Sequence, residues 1–262
     1  MFRKAVLSVA VVGALTCGWP ASAEVEFWFI RHAETEINVG EANPGNPRPS
    51  YLNELTPAGR LQAAALGRSL ASRSVAGLYT SDALRTIQTA YYIVAETGRP
   101  EPTIVHGIRE WDPDSPAAED IEARVRAELR QVIPLWLAGD KGARLPSSGP
   151  DGESLARMLE RTVPAFESII DAHRCDRDGI VAMVAHGASI GWSMPSLAGN
   201  VDPRTAFATS LHNTGVVKAV LDGNRLIVTE WDGQAFDVPD ERKKPRGCKR
   251  RKGDHGEEHR RD

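Results

Sequence analysis

Two histidines in this 262-residue chain stand at the ends of apolar runs that are typical of buried strands. Arg31 and His32 follow the run VEFWFI, and His186 follows the run GIVAMVA. Ligand sites in open α/β sheets lie at the carboxyl ends of the parallel strands, so the two imidazoles are expected to meet there. An imidazole can act as a nucleophile, and an adjacent guanidinium can hold an oxyanion. The alternative is that both are ordinary polar residues at strand ends.

A second arginine and a carboxyl group extend this candidate set. Arg85 lies near the start of a predicted helix that follows a short strand, and Glu110 lies just after a third strand. The residues four positions away from Arg85, Ser81 and Thr89, are not acidic, so no local ion pair explains it. Glu110 is either a proton donor or the partner of the adjacent Arg109 in a surface ion pair, and the sequence leaves both open.

The type of chemistry follows from what these side chains can hold. Two arginines directed at one point suit a phosphoryl group better than an ester carbonyl. No Walker-type lysine or glycine-rich phosphate loop is present, which argues against nucleotide-fuelled transfer. No ligand spacing suggests a metal, so no cofactor is expected. Asn38 and Asn213 are candidate substrate-binding residues, for which a purely structural role is equally consistent.

Strands and helices alternate along residues 24–239, which are expected to form the catalytic domain. The predicted strands lie at 25–30, 76–80, 103–105, 179–185, 214–221 and 225–231, and the predicted helices begin near 57, 83, 117 and 155. Thr56 is the expected N-cap of the first helix. The second helix is expected to be capped at Ser81-Asp82, to bury a face that includes Tyr91, and to end at Gly98. This order predicts a three-layer α/β/α sandwich on a mostly parallel mixed sheet. Residues 111–150 interrupt the alternation and are expected to form a helical lid insertion.

The two ends of the chain differ in composition from residues 24–239. Residues 1–23 contain Arg3 and Lys4, an apolar run and an Ala-Ser-Ala site, which predicts a signal peptide that is cleaved after Ala23; an uncleaved anchor is the alternative. The run is shorter than the ~20 residues of a membrane span, so no transmembrane segment is expected after cleavage. Residues 240–262 hold ten Lys/Arg and six Asp/Glu, which predicts a disordered basic tail.

The charge distribution and the cysteine content limit which binding partners and which disulfide bonds are expected. The net charge of the chain is −3. Because the tail carries +4 and residues 1–23 carry +2, residues 24–239 form an acidic body with a net charge of −9. An acidic body does not resemble a nucleic-acid-binding domain, whose basic face belongs to the fold. The tail is expected to solubilise the chain, or to adhere weakly to an anionic surface. Export to a periplasmic or secreted location permits a disulfide, but Cys175 and Cys248 are interpreted as free or incidental.

Six motifs in order resemble the histidine phosphatase superfamily, in its phosphoglycerate-mutase-like branch. They span about residues 25–231 and consist of Arg31 to Glu34 with Asn38, Leu55 to Ala63, Ser81 to Ala90, Glu110, Asp151 to Ser154, and Ala185 to Gly187. Ala33 departs from the usual glycine, and it would be strained if that position needs a positive φ.

The resemblance implies a role for each candidate residue. His32 would attack phosphorus and form a phosphohistidine, while Arg31, Arg85 and His186 would hold the equatorial oxygens. Glu110 would protonate the leaving alcohol and then activate water. The expected activity is a secreted, metal-independent phosphomonoesterase that acts on a small phosphate ester.

Two other functions remain as alternatives. A phosphoglycerate-type mutase would share the site, but export and the absence of a recognisable basic substrate-binding insert disfavour it. A non-catalytic module that binds polyanions at the cell envelope would use the same pocket together with the basic tail. The presence of all five catalytic candidates disfavours this second alternative.

Overall fold

The computed structural model describes residues 24–39, 52–99, 101–112 and 121–239. The strands are β1 (Glu26–Arg31), β2 (Val75–Thr80), β3 (Thr103–Ile104), β4 (Ile180–Ala185), β5 (Val216–Asp222), β6 (Arg225–Trp231) and β7 (Gln234–Ala235). The α-helices are α1 (Pro57–Leu70), α2 (Leu84–Thr97), α3 (Ile121–Leu137), α4 (Leu155–His173), α5 (Gly187–Leu197) and α6 (Pro203–Ala208). Short 3-10 helices cover Glu36–Val39 and His106–Ile108.

The strands of these residues form one mixed sheet in the order β3-β2-β4-β1-β5-β6-β7. The neighbours from β3 to β1 pair in parallel, and those from β1 to β7 pair antiparallel. In the central pair, Arg31 of β1 lies opposite Ala185 of β4. The next residue of each strand is a histidine, so the register itself brings His32 and His186 to the same edge of the sheet.

The two faces of the sheet bury separate apolar cores, because successive side chains of a strand point to opposite faces. Phe27 and Phe29 of β1 pack in a cluster with residues of α4, α5 and α6. Trp28 and Ile30 pack on the other face with residues of α1 and α2. The chain therefore forms the predicted three-layer α/β/α sandwich.

The start and the cap of α1 agree with their predictions, whereas for α2 the start agrees but the cap and the buried face do not. Thr56 caps α1 by accepting a hydrogen bond from the Gly59 amide. A Ser81-Asp82 cap was expected for α2, but its N-cap is Ala83, without a side-chain bond. An apolar face including Tyr91 was also expected, yet Tyr91 is 46% exposed and threonines are buried instead. These threonines make hydrogen bonds to residues outside the helix. The spacing of apolar residues in the sequence gives no sign of such bonds.

The described part of 111–150 contributes no strand to the sheet. Trp136 of α3 lies beside Trp111 and Trp192 of α5, with ring centroids 5.2–6.0 Å apart, and Phe207 of α6 completes the group. We call these four residues the aromatic cluster. The segment is thus an excursion that packs on α4, α5 and α6 through a small separate core, and its role as a lid stays a prediction.

Several predictions concern residues outside the described ranges, namely the signal peptide at 1–23 and the basic tail at 240–262. No helix within the described ranges combines the length and the apolar character needed to cross a membrane. Cys175 is disulfide-bonded, so its interpretation as a free or incidental cysteine was wrong. Pairing depends on the distance between two Cα atoms in space, which spacing in the sequence does not report.

Candidate active site

His32 presents a nucleophilic nitrogen at the end of β1. The side chain is buried, and its Nδ1 lies 2.8 Å from the Ala33 carbonyl oxygen. Because a carbonyl can only accept a hydrogen bond, Nδ1 carries the proton and Nε2 of the neutral ring keeps its lone pair. Burial first, and then the charges of Arg85 and Arg31, lower the pKa of His32 well below its ordinary value, against an opposing effect of the Ala33 bond. The ring is therefore neutral at pH 7.

His186 faces this ring from the end of β4. The two ring centroids lie 5.3 Å apart in an edge-on arrangement. His186 is completely buried, and its Nε2 lies 2.7 Å from the Ser81 hydroxyl oxygen. The other nitrogen, Nδ1, is buried near the Ser189 amide, but that amide donates to Glu110, so Nδ1 has no hydrogen-bond partner among the described residues. His186 thus has one ring nitrogen that is hydrogen-bonded to Ser81 and one that has no partner among the described residues.

Two guanidinium groups supply positive charge around these rings. Arg31 donates from Nη1 to the Leu211 carbonyl oxygen, and it packs against Gly187, where a Cβ would lie 3.7 Å from its Nε. Burial lowers the pKa of Arg85, while the nearby Glu110 carboxylate raises it and Arg31 lowers it. Arginine nevertheless stays charged in proteins. Like charges held this close favour an anionic ligand between them.

Glu110 is anchored beside the rings by main-chain donors. Its carboxylate accepts hydrogen bonds from the amides of Ser189 (3.0 Å) and Ala188 (3.4 Å) in the first turn of α5, and of Trp111 (2.9 Å). The alternative ion pair with Arg109 does not form, since Arg109 pairs with the Asp82 carboxylate. The carboxyl group is thereby held within the site, at the N-terminus of the helix that follows His186.

Arg161 of α4 holds the loop that carries Glu110, and the sequence analysis missed it. Its guanidinium donates to the carbonyl oxygens of Gly107, Arg109 and Glu110 at 2.8–3.1 Å. It also binds both carboxylate oxygens of Glu153 at 2.6 Å. The signal in the sequence was Glu153 of the motif Asp151 to Ser154, to which no partner had been assigned.

Asn213 and Asn38 lie against the backbone of His32 and Thr35. Asn213 donates from Nδ2 to the His32 carbonyl oxygen (3.0 Å) and to Asn38 Oδ1 (3.1 Å), which also accepts from the Thr35 amide (3.1 Å). The next residue, Thr214, has a φ of 59°, which is uncommon for a β-branched residue. The structure therefore gives both asparagines a positioning role, and their part in substrate binding stays a prediction.

The motif at the start of α1 holds the chain just after His32. The Glu34 amide donates to Gln62 Oε1 (3.0 Å), and the Thr56 hydroxyl donates to the Glu34 carboxylate (2.7 Å). Gly59 approaches so closely that a Cβ would lie 2.1 Å from the Glu34 carbonyl oxygen. Ala33 is not among the described residues with positive φ, so the strain considered for this position does not arise.

A family model described as the histidine phosphatase superfamily (branch 1) matches residues 27–233. The chain belongs to this superfamily. The match encloses every residue of the site described above, and it confirms the resemblance that the six ordered motifs indicated.

Known members of the superfamily that resemble this chain include both phosphatases and mutases. Phosphoglycerate mutase-like protein 4 of Arabidopsis thaliana is 28% identical over 210 residues, which cover 79% of this chain and 84% of that protein. Glucosyl-3-phosphoglycerate phosphatase of Mycolicibacterium vanbaalenii is 28% identical over 176 residues, covering 65% and 73%. A phosphoserine phosphatase structure from Entamoeba histolytica has a TM-score of 0.59 at 22% identity, covering 79% of this chain and 96% of that one. The last comparison bears on the fold alone.

The five predicted catalytic residues fall into one site. They are His32, His186, Arg31, Arg85 and Glu110. Within the ranges that the structure describes, no group of three or more His, Cys, Asp or Glu side chains is arranged to hold a metal ion. The residues that the sequence analysis missed, Ser81 and Arg161, bind the catalytic groups rather than belong to them.

Proposed function

We propose that this protein is a phosphomonoesterase that forms a phosphohistidine on His32. The observation that carries the proposal is the bond from His32 Nδ1 to the Ala33 carbonyl oxygen, because it leaves the Nε2 lone pair free to attack. Two arginines and a second histidine surround that ring, as a phosphoryl group with three equatorial oxygens requires.

The proposed reaction has two displacements at phosphorus. In the first, Nε2 of His32 forms a bond to phosphorus as the ester P–O bond breaks, and protonated Glu110 gives its proton to the departing alkoxide. In the second, a water molecule attacks the phosphohistidine while the Glu110 carboxylate accepts its proton. The P–N bond breaks, inorganic phosphate leaves, and Nε2 recovers its lone pair. Covalent catalysis thereby replaces one difficult step by two easier ones.

A mutase is the second candidate, because one relative carries the name phosphoglycerate mutase-like protein 4. A mutase would use the same first displacement, and it would then return the phosphoryl group to a second hydroxyl of the substrate instead of to water. The catalytic residues do not separate the two outcomes, since both need the same nucleophile and the same acid. The fate of the phosphoryl group therefore has to be measured.

We expect the purified protein to hydrolyse p-nitrophenyl phosphate at the same rate with and without EDTA, because its own cationic side chains stabilise the transferred group. Release of inorganic phosphate from a panel of phosphate esters would then give the preferred substrate. Interconversion of 2- and 3-phosphoglycerate without phosphate release would instead assign a mutase. Absence of both reactions would leave only a binding protein and would contradict the proposal.

Export forms a further part of the proposal. It is supported by the composition of residues 1–23, with basic, apolar and small-residue regions in the order of a signal peptide. The mature protein from the producing cells is expected to begin at Glu24, because the Ala-Ser-Ala site ends at Ala23. Amino-terminal sequencing measures this directly. A mature chain that still begins at Met1 would contradict cleavage.

A further inference from the structure

A short chain of hydrogen bonds runs from the second histidine into α2. Ser81 Oγ lies 2.7 Å from His186 Nε2 and 2.7 Å from Thr86 Oγ1. Thr86 Oγ1 in turn lies 2.7 Å from the Ala83 carbonyl oxygen and 3.1 Å from that of Ser81. All of these side chains are buried, so protein groups rather than solvent determine where the protons lie.

The two carbonyl oxygens set the direction of every bond in this chain. A carbonyl can only accept, so the single Thr86 hydroxyl proton is donated to one of them. Thr86 Oγ1 is then an acceptor for Ser81, which uses its own single proton in that bond. Ser81 Oγ can consequently only accept from His186, which places a proton on His186 Nε2.

This assignment determines the state of the remaining nitrogen. In a neutral imidazole with Nε2 protonated, Nδ1 holds a lone pair. That lone pair is buried and has no hydrogen-bond partner among the described residues. An anionic oxygen placed against it would be repelled, whereas an added proton would turn Nδ1 into a donor. The empty and the anion-bound site therefore favour different protonation states.

The titratable groups that influence His186 come from α2, α4 and the end of β1. Burial contributes most to lowering its pKa well below the ordinary value, followed by Arg85 of α2, His32 after β1, Arg161 of α4 and Arg31 of β1. The empty site therefore holds His186 neutral at pH 7. Glu110, which bonds to the first turn of α5, is the nearby negative group. A bound dianion would offset the cationic side chains and favour protonation of the ring.

We propose that Ser81 and Thr86 hold His186 as the Nε2-protonated tautomer, so that binding of a dianionic phosphoryl group takes up one proton on His186 Nδ1. The proposal rests on the proposed function in that the same pocket receives the phosphoryl group. It makes Ser81 and Thr86 positioning residues that act through His186. A substrate dianion would then be bound by three cationic groups, of which one becomes charged only on binding.

Sulfate is a suitable probe, because it stays dianionic across the pH range of the experiment and undergoes no turnover. Calorimetric titration with sulfate in two buffers of different ionisation enthalpy measures the protons taken up per ion bound. For the wild-type protein we expect close to one proton at pH 8. The sulfate affinity should fall about tenfold for each pH unit above neutrality.

Thr86→Val is the decisive variant, because valine keeps the shape of threonine and removes only the acceptor of the Ser81 proton. Ser81 then donates to His186 Nε2, and the neutral ring carries its proton on Nδ1, ready to donate to the anion. We expect no proton uptake and an affinity that is nearly independent of pH. Thr86→Ser is the matched control, and it should bind sulfate with proton uptake like the wild-type protein.

Ser81→Ala provides a second variant, which frees both tautomers and should likewise reduce the proton uptake. Unchanged uptake in Thr86→Val and Ser81→Ala would overturn the proposal, as would sulfate binding to the wild-type protein without proton uptake. Proton uptake on sulfate binding is measured without a substrate, so these results do not depend on whether the protein hydrolyses an ester. A protein that binds sulfate with proton uptake but hydrolyses no ester would contradict the proposed function alone.

Discussion

We expect His32→Asn to abolish phosphate ester hydrolysis and to prevent formation of a phosphorylated intermediate. Asparagine retains a nitrogen donor at about the position of Nδ1, so the bond to the Ala33 carbonyl oxygen can persist. It has no group at the position of Nε2 that could attack phosphorus. We expect kcat to fall on the order of a millionfold, as when the nucleophile of a covalent enzyme is removed. Initial rates and acid-quenched labelling with a 32P-labelled ester measure the two effects.

A matched control separates this loss from a general disturbance of the fold. His106 is a histidine with a largely exposed side chain that bonds to Asp82, and His106→Asn should retain wild-type turnover. Both variants should unfold at temperatures close to that of the wild-type protein. Substantial turnover by His32→Asn, or label bound at another residue, would show that His32 is not the nucleophile.

Glu110→Gln is expected to affect substrates according to how poorly their leaving group departs. Glutamine has a similar shape, but it has no acidic proton to give to an alkoxide. An alkyl phosphate requires that proton, and its kcat/KM should fall about 10²–10⁴-fold, the usual contribution of a general acid. A p-nitrophenolate departs without protonation, so the first step with p-nitrophenyl phosphate should be affected far less. Steady-state rates with both esters give the ratio.

The comparison of the two esters tests the role of Glu110 as an acid. The amide NH2 of glutamine meets main-chain donors at Ser189 and Trp111, so some loss of positioning is expected with every substrate. Such a loss lowers both rates by the same factor and leaves their ratio unchanged. The variant should release a burst of p-nitrophenolate in the first turnover, because the attack of water on the phosphohistidine then becomes slow. An equal loss with both esters, without a burst, would contradict the assignment.

The strand-end residues of the site could be predicted because their signal is local. An apolar run that stops at a histidine marks both the strand and the edge where its ligand site lies, and this applied to His32 and His186. The N-cap Thr56 and the helix end at Gly98 are also decided by neighbouring residues, and the structure places both as predicted.

The remaining features depend on contacts between distant parts of the chain. Arg161 stands more than fifty residues from the carbonyl oxygen of Gly107 that it binds, and no periodicity links the two. The threonines of α2 are buried because they bond to other elements, as Thr89 Oγ1 does with the Ala33 amide (3.0 Å). The proton position on His186 required the directions of three consecutive hydrogen bonds, which only coordinates supply.

Main-chain groups make many of the polar contacts in the site. His32 donates to a carbonyl oxygen, Glu110 accepts from three amides, and Arg31 donates to the Leu211 carbonyl oxygen. Every residue type except proline offers the same amide, and every type offers the same carbonyl. Positions such as Ala188 and Leu211 can therefore drift during evolution without loss of these bonds, provided that the backbone path is preserved.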